Sequence, residues 1–177
     1  MYLLFLSFPK IESGQGMNSS DSQSALIIGI GNEFRGDDAA GRLVVNRLKE
    51  DDLQPGVETI EISGEGASLM ESWTGYEMVI LIDAVSTGGE AGRIYFFDAK
   101  SETIPAEFFS YSTHAFSVAE AVEMARALDR LPPQIWIYGI EGESFGVGKK
   151  VSDAVLKAVD EVAGRIRGIL LLNSNEN

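Results

Sequence analysis

The stretch Leu26-Ile-Ile-Gly-Ile-Gly-Asn-Glu-Phe-Arg-Gly-Asp-Asp-Ala-Ala-Gly41 constrains this chain most, because a buried-strand pattern runs through a glycine turn directly into two adjacent carboxylates. Strand-turn-helix entrances of this kind commonly hold phosphate, since backbone N–H groups and the positive end of a helix attract anions. Here Gly31-x-x-x-x-Gly36 is followed by Asp37-Asp38, where a Walker-type loop carries Lys-Ser/Thr. Two negative charges at that place repel a nucleotide. The dinucleotide pattern fails as well: Gly29-x-Gly31 is present, but the third glycine falls on Phe34, which would obstruct close helix–strand packing. A helix entrance loaded with carboxylate suits a cation instead.

The rest of the chain alternates strand and helix. Leu26–Gly31, Val57–Ile62, Met78–Ala84, Arg93–Phe97 and Gln134–Ile140 are short runs rich in Val, Ile, Phe and Tyr, bounded by glycine, proline or polar residues. Between them, Ala40, Leu43, Val44 and Leu48 share one helical face, and Val118, Ala121, Val122, Ala125 and Leu128 share another. Asp37 is placed to cap the first helix, and Ser117-x-x-Glu120 forms a capping box for the later one, which must end near Leu131-Pro132-Pro133. A shorter helix is predicted over Ala67–Trp73 and a last one from about Ser152 to Leu171. This alternation predicts a three-layer α/β/α sandwich around a mixed, mostly parallel five-stranded sheet. Only Val85–Gly92 separates the third and fourth runs. That is too short for a helical crossover, so the fourth strand is predicted as an antiparallel edge.

With 177 residues there is room for one full core and no second domain. The formal net charge of −13 excludes nucleic acid and anionic lipid as partners. Zero cysteines exclude disulfides, thiolate metal sites and cysteine-protease chemistry, and fit the cytosol. Any metal bound here meets only oxygen and nitrogen donors. Met1–Phe8 is apolar but lacks a basic flank and breaks at Pro9, too short for a signal or a membrane span. Residues 1–23 read as a flexible extension in which Met17 is a candidate natural start, 24–172 as the single domain, and 173–177 as a polar tail.

His114 is the one histidine, so any imidazole chemistry passes through Ser112-Thr-His-Ala-Phe116, a loop feeding the capped helix. Alone it reads as an ordinary surface histidine. Asp83 ends the strand Met78-Val-Ile-Leu-Ile-Asp83, and in open α/β sheets ligands gather beyond the carboxyl ends of strands. Alone it reads as a turn residue. If the first and third strands are neighbours, Asp38, Asp83 and the loop bearing His114 converge at one sheet edge, with Asp37 turned onto the helix and Asp38 outwards. Two carboxylates and an imidazole suit a borderline divalent ion. Glu33, Asp98 and Glu141 carry no feature that separates them from solvated charges. Gly142-Glu-Ser-Phe-Gly146 matches a serine-hydrolase elbow, but that fold places its histidine after the serine, and His114 precedes Ser144. The aromatics Phe108, Phe109, Tyr111 and Phe116 read as core packing before groove lining.

Gly29-Ile-Gly-Asn-Glu-Phe-Arg-Gly-Asp-Asp-Ala-Ala-Gly41, Leu81-Ile-Asp-Ala84, Thr113-His114 and Gly139-Ile-Glu-Gly-Glu-Ser144 together resemble the hydrogenase maturation endopeptidases, from Ala25 to about Arg167. The resemblance implies an α/β/α fold of the phosphorylase/hydrolase-like kind and an endopeptidase that removes a C-terminal peptide from the large subunit of nickel–iron hydrogenase once nickel is inserted. It implies that Asp38, Asp83 and His114 contact the metal and carry the catalysis. Nickel would arrive with the precursor, held by soft thiolates that a carboxylate/imidazole set does not displace, and no organic cofactor is implied. The expected partner is the large-subunit precursor, with no nucleic acid and no membrane, and the expected setting a cytoplasmic monomer. Two departures stand out: Ser63 lies where many relatives carry Asp, and Gly142 where they often carry Pro. A non-catalytic nickel-checking protein would keep the same ligands, and a nucleotide-binding α/β domain is the remaining alternative.

Overall fold

The computed structural model describes residues 24–63, 66–105, 108 and 117–174. The extension over 1–23, the end of the tail at 175–177, His114, Phe109, Tyr111 and Phe116 lie outside the described residues. Five strands form one sheet: β1 (Ala25–Ile30), β2 (Val57–Ile62), β3 (Met78–Val85), β4 (Ile94–Asp98) and β5 (Gln134–Glu141), in the order β2-β1-β3-β5-β4. The β1–β2, β1–β3 and β3–β5 pairs are parallel, and β4 runs antiparallel to β5 at the edge. The helices are α1 (Ala40–Lys49), α2 (Gly66–Ser72), α3 (Val118–Ala127) and α4 (Asp153–Ser174), the last running into residues whose composition suggests a tail. Among the described residues no helix is long and apolar enough to cross a membrane.

Strand parity sorts the core into two layers. Ala25 and Ile27 of β1, with Met78, Ile80 and Ile82 of β3, pack under α1 and α4. Their alternating neighbours Leu26, Ile28, Val79, Leu81 and Val85 pack under Leu69 of α2 and Val118, Ala121, Val122 and Ala125 of α3. A central strand buried on both faces reads as an unbroken apolar run, which is why β1 and β3 carry so little polar sequence. The predicted box caps α3: the Ser117 hydroxyl accepts from the Glu120 amide at 3.3 Å, and the Glu120 carboxylate accepts from the Ser117 amide at 2.7 Å.

Asp37 does not cap α1. A 3-10 turn over Gly36–Ala39 precedes that helix, so Asp37 lies inside the turn and its carboxylate reaches across to the far end of the chain. Fully buried, it accepts from the amides of Glu143 and Ser144 at 2.9 Å, from the Ser152 amide at 2.7 Å and from the Ser152 hydroxyl at 3.2 Å. The Asp37 amide in turn donates to the Ser144 carbonyl at 2.7 Å. One side chain thus ties the loop after β1, the loop after β5 and the start of α4 together. Asp37→Ala is expected to orphan these buried amides and lower unfolding free energy by about 2–4 kcal/mol, measured by urea denaturation; a loss below about 0.5 kcal/mol would contradict the clasp.

Candidate active site

The strand order places a topological switch point between β1 and β3: from β1 the chain crosses to β2 on one side, and from β3 it continues to β4 and β5 on the other. In an open α/β sheet this is where a crevice opens beyond the carboxyl ends of the strands. Asp38 follows β1 and Asp83 lies in the last turns of β3, so the two flank that crevice.

Their approach depends on two glycines. Gly41, in the first turn of α1, lies against the backbone of Ile30 and Ile82, and a Cβ there would collide with both carbonyls. The helix entrance can therefore settle directly over the strand residue preceding Asp83. Close helix–strand contact was denied to the pattern Gly29-x-Gly31 because of Phe34; Gly41 supplies it instead, facing Gly29. Gly31, at φ +133°, turns the chain so that the Asp38 carbonyl comes to rest where a side chain would stand, and the Asn32 amide donates to that carbonyl at 3.2 Å.

Asp83 is 7% exposed, and among the described residues its carboxylate accepts a hydrogen bond from the neighbouring Ala84 amide at 2.8 Å. Burial, first, and the negative charge of Asp38, second, push its pKa up to about 8, against the small opposing effect of that amide. Asp38 is half-buried, with Arg35 at 3.9 Å, at the outer limit of an ion pair. Two carboxylates, one of them buried, thus share one crevice, an arrangement that a divalent cation suits. Among the described residues no group of three His, Cys, Asp or Glu side chains could hold a metal, so the described pair needs a further donor from elsewhere.

Glu141 is not a solvated charge. It is fully buried and accepts from the Thr87 amide and hydroxyl, both at 2.8 Å, and from the amides of Gly88 and Gly89 at 3.0 and 3.1 Å. This fixes the loop that follows Asp83, a role that sequence position beside a strand end signals only weakly. Glu33 is exposed and pairs with Arg42 at 3.8 Å, and Asp98 caps a turn at the opposite edge of the sheet through the Lys100 amide at 3.0 Å. Ser144 is held through its backbone to Asp37, and α4 begins only at Asp153, so no strand-turn-helix elbow forms. Phe108 packs edge-on against Tyr95 and Phe97 at 4.8 and 5.1 Å between ring centroids, as core packing requires. Ser63 is exposed at the end of β2.

The sequence profile of the hydrogenase maturation proteases matches residues 43–169. The chain belongs to that family. It is 27% identical over 151 residues, 80% of this chain and 96% of the other, to a Methanocaldococcus jannaschii protein provisionally named as a hydrogenase maturation protease. It is 25% identical to the hydrogenase 2 maturation protease of Escherichia coli K12, over 80% of this chain and 90% of that one. The crystal structure of a [NiFe] hydrogenase maturation protease from Thermococcus kodakarensis KOD1 superposes with a TM-score of 0.65 at 27% identity, covering 84% of this chain and 92% of that one. The mixed five-stranded sheet with one antiparallel edge strand is the fold of these proteases, and the chemistry of this maturation protease is peptide hydrolysis.

The raised pKa of Asp83 has a thermodynamic consequence. Between the ordinary aspartate value and about 8 the folded protein holds a proton that the unfolded chain has released, so stability falls as pH climbs through that window. Asp83→Asn removes the ionisation and keeps the shape. Without added metal, this variant should melt above the parent by several degrees at pH 8, at about 2–4 °C per kcal/mol, and match it near pH 4. Parallel melting curves at both pH values would contradict the assignment.

Proposed function

We propose that this maturation protease removes the C-terminal extension of the large subunit of a nickel–iron hydrogenase after nickel insertion, and that Asp38, Asp83 and His114 receive the nickel the precursor carries. The observation that carries this reading is the pairing of Asp38 with a buried, poorly compensated Asp83 at the switch-point crevice. A cation arriving with the client satisfies both carboxylates at once.

Chain connectivity supports His114 as the third donor. Arg126, in the last turn of α3, donates to the carbonyls of Ala99 and Glu102, the latter at 3.0 Å, which fixes that helix end beside the amino end of β5. The start of α3 therefore points towards the carboxyl edge, and Ser117 caps it three residues after His114, a span of at most about 10 Å. Asp83 shares the strand parity of Val79, Leu81 and Val85, the face that α3 covers.

Carboxylate and imidazole are weak nickel donors beside thiolates, so the protease can read the ion and leave it in the client. Seating the nickel fixes the scissile peptide beside Asp38 and Asp83, where hydrolysis can follow by attack on a metal-polarised carbonyl or by water activated by a carboxylate. The nickel belongs to the precursor, and the scheme needs no organic cofactor. The domain over residues 24–172 suffices for it, acting as a cytoplasmic monomer on a folded client.

Incubation of nickel-loaded precursor with the protein, followed by mass spectrometry, should show a shortened large subunit, and metal-free precursor should remain intact. His114→Ala and Asp38→Asn should each slow processing by roughly 10²-fold or more. Because ligation needs neutral imidazole and ionised carboxylates, the rate should also fall in acid as these groups take up protons. Full processing by His114→Ala, or equal processing of metal-free precursor, would contradict the assignment.

A further inference from the structure

The loops that Asp37 sews together carry an outward face that the crevice chemistry does not use. Phe34, in the loop after β1, is 68% exposed, and Val147, in the loop after β5, is 82% exposed. They are not separate accidents of surface composition. The Gly148 amide donates to the Phe34 carbonyl at 2.8 Å, so the two loop tips are hydrogen-bonded side by side, four residues from Asp38 in sequence on one side. Large exposed apolar side chains grouped on a rigid support mark contact sites.

The charge around these tips runs against the rest of the molecule. The chain has 27 acidic and 14 basic residues. Yet Lys149 and Lys150 follow Val147 after Gly148, the stem of Lys149 lies against Gly36, and Arg35 follows Phe34. Among the described residues neither Lys149 nor Lys150 makes an ion pair, whereas the nearby Glu33 is turned to Arg42. The acidic neighbours are Glu33, beside Phe34 and paired with Arg42, Glu143, at the base of the loop after β5, and Asp153, at the start of α4. An apolar pair flanked by lysines, in a protein of net charge −13, is complementary to an apolar segment bearing carboxylates.

We propose that Phe34 and Val147, with Lys149 and Lys150, form the docking surface for a segment of the precursor polypeptide that presents an apolar side chain beside acidic groups. This rests on the protease function above and names how the same site selects its client. The surface adjoins the crevice, because Phe34 and Asp38 belong to the same connection between β1 and α1 and Val147 to the loop clamped by Asp37. A client whose nickel meets Asp38 and Asp83 must lie across it. Docking there holds the chain through ground-state contacts, which govern KM more than the chemical step.

The test uses nickel-loaded precursor with the wild-type protein, Phe34→Ser/Val147→Ser and Lys149→Glu/Lys150→Glu, and with Arg130→Glu, a charge reversal just before β5 at the opposite sheet edge. Cleavage is followed by mass spectrometry and binding by biolayer interferometry. Each double variant should raise KM and Kd by roughly tenfold while kcat stays within about twofold and Arg130→Glu behaves as wild type. The lysine effect should shrink at about 0.5 M salt and the apolar effect should not. Melting temperatures should be unchanged, because all four side chains are exposed. Cleavage with KM and Kd unaltered in either double variant would overturn the docking surface and leave the protease function standing. Binding without cleavage by the wild type, weakened tenfold in both variants, would support the surface and overturn the protease function; no binding would overturn both.

Discussion

The buried carboxylate of Asp37 is the interaction on which the active edge depends. An ionised group removed from water must recover its hydration from directed donors, and Asp37 does so with three backbone amides and a hydroxyl drawn from two distant stretches of chain. Those donors lie more than a hundred residues away in sequence, so the bond network closes the fold from its first loop to the entrance of its last helix. A loop in the middle of such a network cannot drift, and the next residue, Asp38, is delivered to the crevice from a fixed base. Adjacent aspartates thus divide into one that organises the loops and one that stands at the crevice near Asp83.

The counterpart is Asp83, which has almost none of what Asp37 has. One short-range amide bond and a like-charged neighbour leave it poorly solvated by the protein. Buried carboxylates differ in consequence by their partners, and the contrast between Asp37 and Asp83 separates scaffolding from function more clearly than burial does. Ionising Asp83 in its buried place costs stability, and under the proposed function a cation carried by the client would offset that cost.

Much of this was legible in the sequence for definite reasons. Unbroken apolar runs such as Met78–Ile82 can only be central strands buried on both faces, and the short Val85–Gly92 link forced β4 to the edge as an antiparallel strand. The placement of Asp38 and Asp83 near each other at the carboxyl edge was legible because each follows or ends a strand of a parallel sheet. Asp37 as an apparent helix cap was misleading, since local sequence gives no sign that its donors come from Glu143, Ser144 and Ser152. Glu141 was undervalued for the same cause: its partners are amides of a glycine loop, and backbone donors leave no trace in side-chain patterns. The packing role of Gly41 leaves no local signal, because the close approach it permits is to the backbone of Ile30 and of Ile82, two strands whose adjacency only the folded sheet reveals.

The convergence of Asp38, Asp83 and His114 on one ion is the central claim, and the presence of a single histidine makes it directly measurable. The imidazole resonances of selectively labelled protein can be followed by NMR as Ni²⁺ is added, in the wild type and in Asp83→Asn. Paramagnetic shift or broadening of the one histidine in the wild type, displaced to much higher nickel concentration by Asp83→Asn, is the predicted result. An identical response in the two proteins would show that the imidazole and the buried aspartate do not share an ion.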